Sequence, residues 1–139
     1  MNSSSEGASD RLVMLVDDNS VDNFINQKLI ELTGFSTNIV VEKSAKCALE
    51  YIEQNIDNLE KIPELLFLDL NMPVMDGFGF LDEFAKMPSD ILNKCKIVVL
   101  TSSENDKDKT QIASYSNVIM FVSKPLSEGV VEKLKSTIS

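Results

Sequence analysis

Five short runs of consecutive apolar residues punctuate the chain: Leu12-Val13-Met14-Leu15-Val16, Ile39-Val40-Val41, Leu65-Leu66-Phe67-Leu68, Ile97-Val98-Val99-Leu100 and Val118-Ile119-Met120-Phe121-Val122. Most do not alternate with polar residues, as expected of strands covered on both faces in a parallel sheet. The segments between them carry a helical period. Val21, Phe24, Ile25, Leu29 and Leu32 fall on one helical stripe, with Ser20 placed to cap its start and Gly34 just past its end. Ala45, Ala48, Leu49 and Ile52 repeat the pattern after Ser44. Phe78, Leu81 and Phe84 repeat it before Pro88 stops the segment, and Val130, Val131, Leu134 and Ile138 predict a closing helix after Ser127. From Ser103 to Ser116 the aliphatic positions are Ile112 and Ala113 alone, which predicts a short, mobile helix. Five strands alternating with five helices predict an open α/β fold, a doubly wound parallel sheet with right-handed crossovers and helices on both faces. Residues 1–10 are small and polar and read as a disordered tail, leaving 11–139 as one domain.

Composition then removes whole classes of function. The 139 residues include 22 acidic and 13 basic side chains and no histidine, a net charge of −9. A chain of this length buries roughly 68% of its unfolded surface and is expected to fold without disulfides or structural metal. Without histidine there is no Ser-His or Cys-His catalytic pair, no histidine-ligated zinc and no phosphohistidine carrier. The acidic balance argues against nucleic acid and against an anionic membrane surface, both of which are held through Lys and Arg. Cys47 and Cys95 form no metal-spaced cluster and read as small hydrophobes of a reducing compartment. No apolar run approaches the roughly 18 residues of a membrane span, and no signal pattern opens the chain, so a cytoplasmic protein is expected.

Candidate chemistry collects directly after the runs. In a parallel sheet ligands bind outside the carboxyl ends of the strands. The first run ends in Asp17-Asp18, the third in Asp69 and the fourth in Thr101, and the fifth is followed by Ser123, Lys124 and Pro125. Alone, each of these reads more simply as a cap or turn residue. Together they place three carboxylates, a hydroxyl and an ammonium on one edge. Carboxylates so close raise one another's pKa unless a cation sits among them, and Mg2+ prefers such hard oxygens. An aspartate beside a divalent cation and a lysine suits attack on an activated phosphoryl group.

Asp17-Asp18-Asn19, Phe67-Leu68-Asp69-Leu70-Asn71-Met72-Pro73 with Asp76-Gly77 behind it, Val99-Leu100-Thr101-Ser102 and Phe121-Val122-Ser123-Lys124-Pro125 resemble, in spacing and order, the receiver domains of two-component response regulators. The resemblance implies a flavodoxin-like strand order 2-1-3-4-5, with Asp69 accepting a phosphoryl group from a phosphohistidine donor. That donor would be a sensor histidine kinase or a histidine phosphotransfer protein. It further implies that Asp18, Asp69 and the backbone carbonyl of Asn71 bind Mg2+ directly and that Asp17 helps through water. Lys124 would contact the phosphoryl oxygens, the Lys124-Pro125 bond would be cis, and Thr101 with Phe121 would form the switch pair. Outside the family, Phe121 would read as an ordinary core aromatic. Met72-Pro73 and Asp76-Gly77 would shape the loop, Pro fixing one backbone angle and Gly permitting a positive one. Ser44, Ser127 and the stretch Asp106 to Lys109 read as caps and a solvated face. In the family the positions two after the acceptor and two after the threonine, here Asn71 and Ser103, tune dephosphorylation, and an unremarkable phosphate lifetime is expected. The chain departs from many receivers in lacking a Gly-Ala pair at Tyr115 to Asn117 and in its polar stretch Asn105 to Thr110.

Two other classes compete. A phosphatase of haloacid-dehalogenase type also places Asp after a parallel strand, but needs a second acid two residues on, where Asn71 stands. A flavodoxin-like cofactor binder needs a Ser/Thr/Gly-rich loop after the first strand, and Asp17-Asp18-Asn19-Ser20 would repel phosphate there. The expectation is therefore a stand-alone signalling phosphoacceptor, not an enzyme beyond its own phosphorylation and dephosphorylation. No output domain follows the last predicted helix, so output is expected to pass through a partner protein or onward phosphotransfer.

Overall fold

The computed structural model describes residues 11–72, 74–101 and 106–138, apart from the side chains of 106–108 and 138. The expected tail at 1–10, and Pro73, Ser102 and Ser103, lie outside the described residues. The five apolar runs become β1 (Leu12–Val16), β2 (Asn38–Glu42), β3 (Leu65–Asp69), β4 (Lys96–Thr101) and β5 (Val118–Ser123). All neighbours pair in parallel, in the order β2-β1-β3-β4-β5. This is the flavodoxin-like order. Every residue of β1 and β3 is buried, whereas β2 and most of β5, at the sheet edges, are half-buried at best. Coverage on both faces thus holds for the central strands.

Alternation along the strands sorts the core into two layers. Met14, Val16, Leu66, Leu68, Ile97 and Val99 face α2 (Ala45–Gln54), α3 (Gly77–Phe84), α4 (Ser89–Lys94) and α5 (Asp106–Ala113). Val13, Leu15, Leu65, Phe67, Val98 and Leu100 face α1 (Ser20–Leu32) and α6 (Glu128–Ile138). No helix among the described residues is long and apolar enough to cross a membrane.

The helices depart from the pattern in instructive ways. The cap of α1 is Asn19 and not Ser20: the Asn19 side chain accepts from the N–H groups of Val21 and Asp22 at 2.9 and 3.0 Å. At the other end Gly34, at φ +75°, lets the Phe35 N–H close onto Ile30 O at 3.1 Å, a Schellman-type finish. An apolar stripe ordinarily marks the face turned to the core. Here Val21, Phe24, Ile25 and Leu32 are exposed, and Asn23, Asn26 and Ile30 are buried instead. In α3 the buried residues include Phe80 as well as Leu81 and Phe84, and the Phe80 and Phe84 rings stack at 5.8 Å.

Among the described residues there are six α-helices where five were expected, because Pro88 stops one segment and opens another. Its fixed φ of −56° suits the entry to α4, which buries Ile91. Cys95 follows in the core, and burial pushes its thiol up to about 12. Cys47, read as a small hydrophobe, is instead exposed on α2.

Candidate functional site

Each central strand delivers one polar side chain at its carboxyl end. Asp17 follows β1 and stays tied to the sheet by its N–H, which donates to Glu42 O at 3.2 Å. Its Oδ1 accepts from the Asn19 N–H at 2.9 Å and its carbonyl from Asn23 Nδ2 at 2.8 Å. The first turn of α1 therefore holds Asp17 from two sides. Asp69 ends β3, 5% exposed, and its Oδ1 accepts from the Asn71 N–H at 3.3 Å. Thr101 ends β4 fully buried, with Asn71 Nδ2 3.5 Å from its hydroxyl.

Lys124 reaches in from the end of β5. Its N–H donates to Thr101 O at 2.8 Å, which anchors the backbone, and the Lys124-Pro125 peptide bond is cis. The ammonium lies 3.1 Å from Asp17 Oδ2, 3.1 Å from Asp22 Oδ2 and 3.4 Å from Asp69 Oδ1. Partial burial pulls this ammonium down, but hydrogen bonds to Asp22 and Asp17 outweigh that and hold its pKa above the usual lysine range. Asp69 goes the other way. Burial first, and the charge of Asp17 second, raise it to about 6 against the opposing pull of Lys124. One ammonium does not neutralise the carboxylates around it. Asp17, Asp18 and Asp69 each offer an oxygen, all within 4.8 Å of one another. This hard-oxygen set, short of positive charge, fits a divalent cation.

Of the residues singled out in the sequence, Asp17, Asp18, Asp69 and Lys124 meet at one point, with Asn71 and Thr101 beside them. Phe121 stands apart on half-buried β5, packed at the margin of the core, with Lys109 Nζ 5.8 Å from its ring centroid. Asp22 and Asn23 were not singled out. Asp22 sits three residues after the capping Asn19 and reads from sequence as a helix-start acid; its partner, Lys124, is 102 residues away.

The loop after Asp69 is shaped differently from the expectation. Asp76 caps α3 by accepting from the Gly79 N–H at 3.0 Å. Gly77 is needed for close approach and not for a positive φ: a Cβ there would lie 2.8 Å from Leu70 Cα. The positive φ belongs to Val74, at 68° and fully exposed. A β-branched residue is strained in that region. Val74→Asn is expected to raise stability by about 1 kcal/mol in urea unfolding, since Asn tolerates the left-handed conformation.

Comparison with known proteins points one way. Residues 13–135 match the family model described as the response regulator receiver domain. A probable methanogenesis regulatory protein, FilR2, of Methanothrix harundinacea is 32% identical over 91% of this chain and 78% of its own length. The response regulator Rcp1 of Synechocystis is 30% identical over 81% of this chain and 74% of its own length. A two-component response regulator from Cytophaga hutchinsonii superposes with a TM-score of 0.86 at 25% identity, covering 94% of this chain and 97% of that one. With its strand order matching as well, the chain belongs to the response regulator receiver domain family.

Proposed function

We propose that this chain is a phosphoacceptor signalling module in which Asp69 takes a phosphoryl group from a phosphohistidine donor. The observation that carries this reading is the convergence at Asp69. Its buried carboxylate lies 3.4 Å from the Lys124 ammonium and within the 4.8 Å oxygen set of Asp17 and Asp18. An Asp69 oxygen attacks phosphorus, the P–N bond to the donor imidazole breaks, and the electron pair leaves with the imidazole nitrogen, which takes up a proton. With a pKa of about 6, Asp69 is mostly ionised at neutral pH and ready to attack.

Asp18, Asp69 and the carbonyl of Asn71 would hold Mg2+, with Asp17 assisting. When bound, the ion supplies positive charge against the phosphoryl oxygens. Lys124 would supply more, and the Thr101 hydroxyl, buried at the end of β4, would turn toward the new phosphate. Phe121, half-buried on the neighbouring strand, would follow it inward. The signal is then a changed surface read by a protein partner. The direct test is intact mass after incubation with acetyl phosphate: a single added phosphoryl group, lost when magnesium is withheld, supports this reading. No adduct with either acetyl phosphate or a phosphohistidine protein sinks it.

The exposed stripe of α1 supports a protein donor. Among the described residues, six large hydrophobics are exposed, and four of them, Val21, Phe24, Ile25 and Leu32, lie on α1. The first three flank the turn that carries Asp22 and opens beside Asp17 and Asp18. An apolar face next to an acidic site suits a helical donor that must bring its histidine to Asp69. Phe24→Asp is expected to slow transfer from a phosphohistidine protein by about tenfold or more, as for a central aromatic of an interface. Labelling by acetyl phosphate, which needs no such face, should change by less than about twofold. Equal slowing with both donors would count against docking on α1.

A further inference from the structure

Lys124 has three ammonium hydrogens and three carboxylates around it. Two of these, Asp17 and Asp69, are the buried strand-end acids at 3.1 and 3.4 Å. The third, Asp22, comes from the first turn of α1, also at 3.1 Å, and lies outside the oxygen cluster of Asp17, Asp18 and Asp69. An acid at this helix position ordinarily turns back to the N–H of the cap residue. Here the Asn19 N–H is already taken by Asp17 Oδ1 at 2.9 Å, and Asp22 reaches across to Lys124 instead. Its side chain is 36% exposed, against 5% for Asp17 and 6% for Asp69, so it sits at the rim where a phosphoryl group would enter.

We propose that Asp22 is a positioning residue that holds the Lys124 ammonium against α1 and competes with an incoming phosphoryl group for it, slowing formation of the Asp69 phosphate without changing its hydrolysis. The inference rests on the phosphoacceptor reading of Asp69. Its asymmetry follows from where the competition falls. Before transfer, Lys124 is paired with Asp22; in the transition state it must face the phosphoryl oxygens, so breaking the pair adds to the barrier. Once the phosphate is formed, Lys124 has already turned. Hydrolysis then begins and passes its transition state with the same lysine contact, and Asp22 adds nothing to that step.

In the full chain at low ionic strength, with acetyl phosphate and magnesium, Asp22→Asn is expected to speed phosphorylation about threefold to fivefold, the scale of a partly exposed ion pair. Hydrolysis of the preformed phosphate should stay within about 1.5-fold, and Asp22→Glu should restore the slow rate. In a Lys124→Gln background Asp22→Asn should have no effect; bulk repulsion of the anionic donor, or a merely structural role, would survive there. A second readout needs no phosphorylation. With isotope-labelled lysine, the Lys124 ammonium signal, held by hydrogen bonds in the wild type, should broaden through water exchange in Asp22→Asn. An unchanged signal, an unchanged phosphorylation rate in a protein that does accept phosphate, or an effect that persists without Lys124 each overturns the inference alone. A wild type that accepts no phosphoryl group overturns the phosphoacceptor reading, and this inference with it.

Discussion

Asp69→Asn is expected to abolish phosphoryl uptake from acetyl phosphate and magnesium, with the rate falling on the order of 10³-fold or more while the wild type gains one group per chain. The substitution keeps the shape of the side chain and removes the nucleophile. An amide oxygen is a poor nucleophile, and the other acids cannot stand in. Asp17 is tied through Oδ1 to the Asn19 N–H and through Oδ2 to Lys124, and is 3% exposed. Asp18 is exposed and is not in direct contact with Lys124 among the ion pairs of the site. Lys124 keeps Asp17 and Asp22 as partners in the variant, so the fold around the site should survive, which circular dichroism would check. Intact mass with peptide mapping decides the matter. A variant labelled at the wild-type rate, or labelled on Asp18, would remove Asp69 from the acceptor role.

The legible part of this protein is the part in which local pattern and tertiary environment agree. Runs of consecutive apolar residues named the strands because central parallel strands are buried on both faces, as β1 and β3 are here. The polar residues after four of the five runs named the candidate site, because the carboxyl edge of such a sheet is where side chains converge. The failures have physical causes too. The stripe of α1 announced a helix but pointed to the wrong face. Asn23 is buried there because its amide holds the Asp17 carbonyl, and Phe24 and Ile25 are left outside. A hydrogen bond to a strand-end carbonyl leaves no trace in hydrophobic periodicity. The short α4 was hidden by its length of six residues and by a proline that is a stop in one reading and a start in the other.

The Tyr115 to Asn117 segment, legible only as a departure from the family, has a local explanation. Asn117 Nδ2 donates to Leu92 O at 2.6 Å and Cys95 O at 3.0 Å, closing α4 and its exit against the start of β5. The Tyr115 hydroxyl donates to Asp82 on α3, and this bond, more than burial, raises the tyrosine pKa. The segment thus ties α3 and α4 to the start of β5. Asp22 escaped the sequence reading for the simplest reason: its chemistry depends on a lysine 102 residues away, and no local pattern encodes that distance.

The crowding around Asp69 should make it a liability in the metal-free protein, so Asp69→Asn is expected to be more stable than the wild type at neutral pH. Burial and Asp17 raise the folded pKa from 3.8 to about 6. The folded state therefore binds this proton more readily than the unfolded chain. The stability it confers is fully present below the unfolded value and is lost as pH rises through the folded value near 6. Roughly two pK units correspond to an upper figure of about 3 kcal/mol, and the imperfect fit of an amide leaves about 1–2 kcal/mol at pH 7.5. Other carboxylates titrate in both proteins, so the quantity to follow is their difference in urea unfolding with a chelator present. The advantage of Asp69→Asn should be largest at pH 7.5 and shrink by about 2 kcal/mol on going to pH 4.5. Magnesium should narrow or reverse it, because a cation bound to the folded wild type stabilises that protein by mass action and finds a poorer site in the variant. A difference that is flat with pH, or a metal-free wild type that is the more stable protein at pH 7.5, would mean that Lys124 already compensates the carboxylates and that Asp69 carries no stored electrostatic cost.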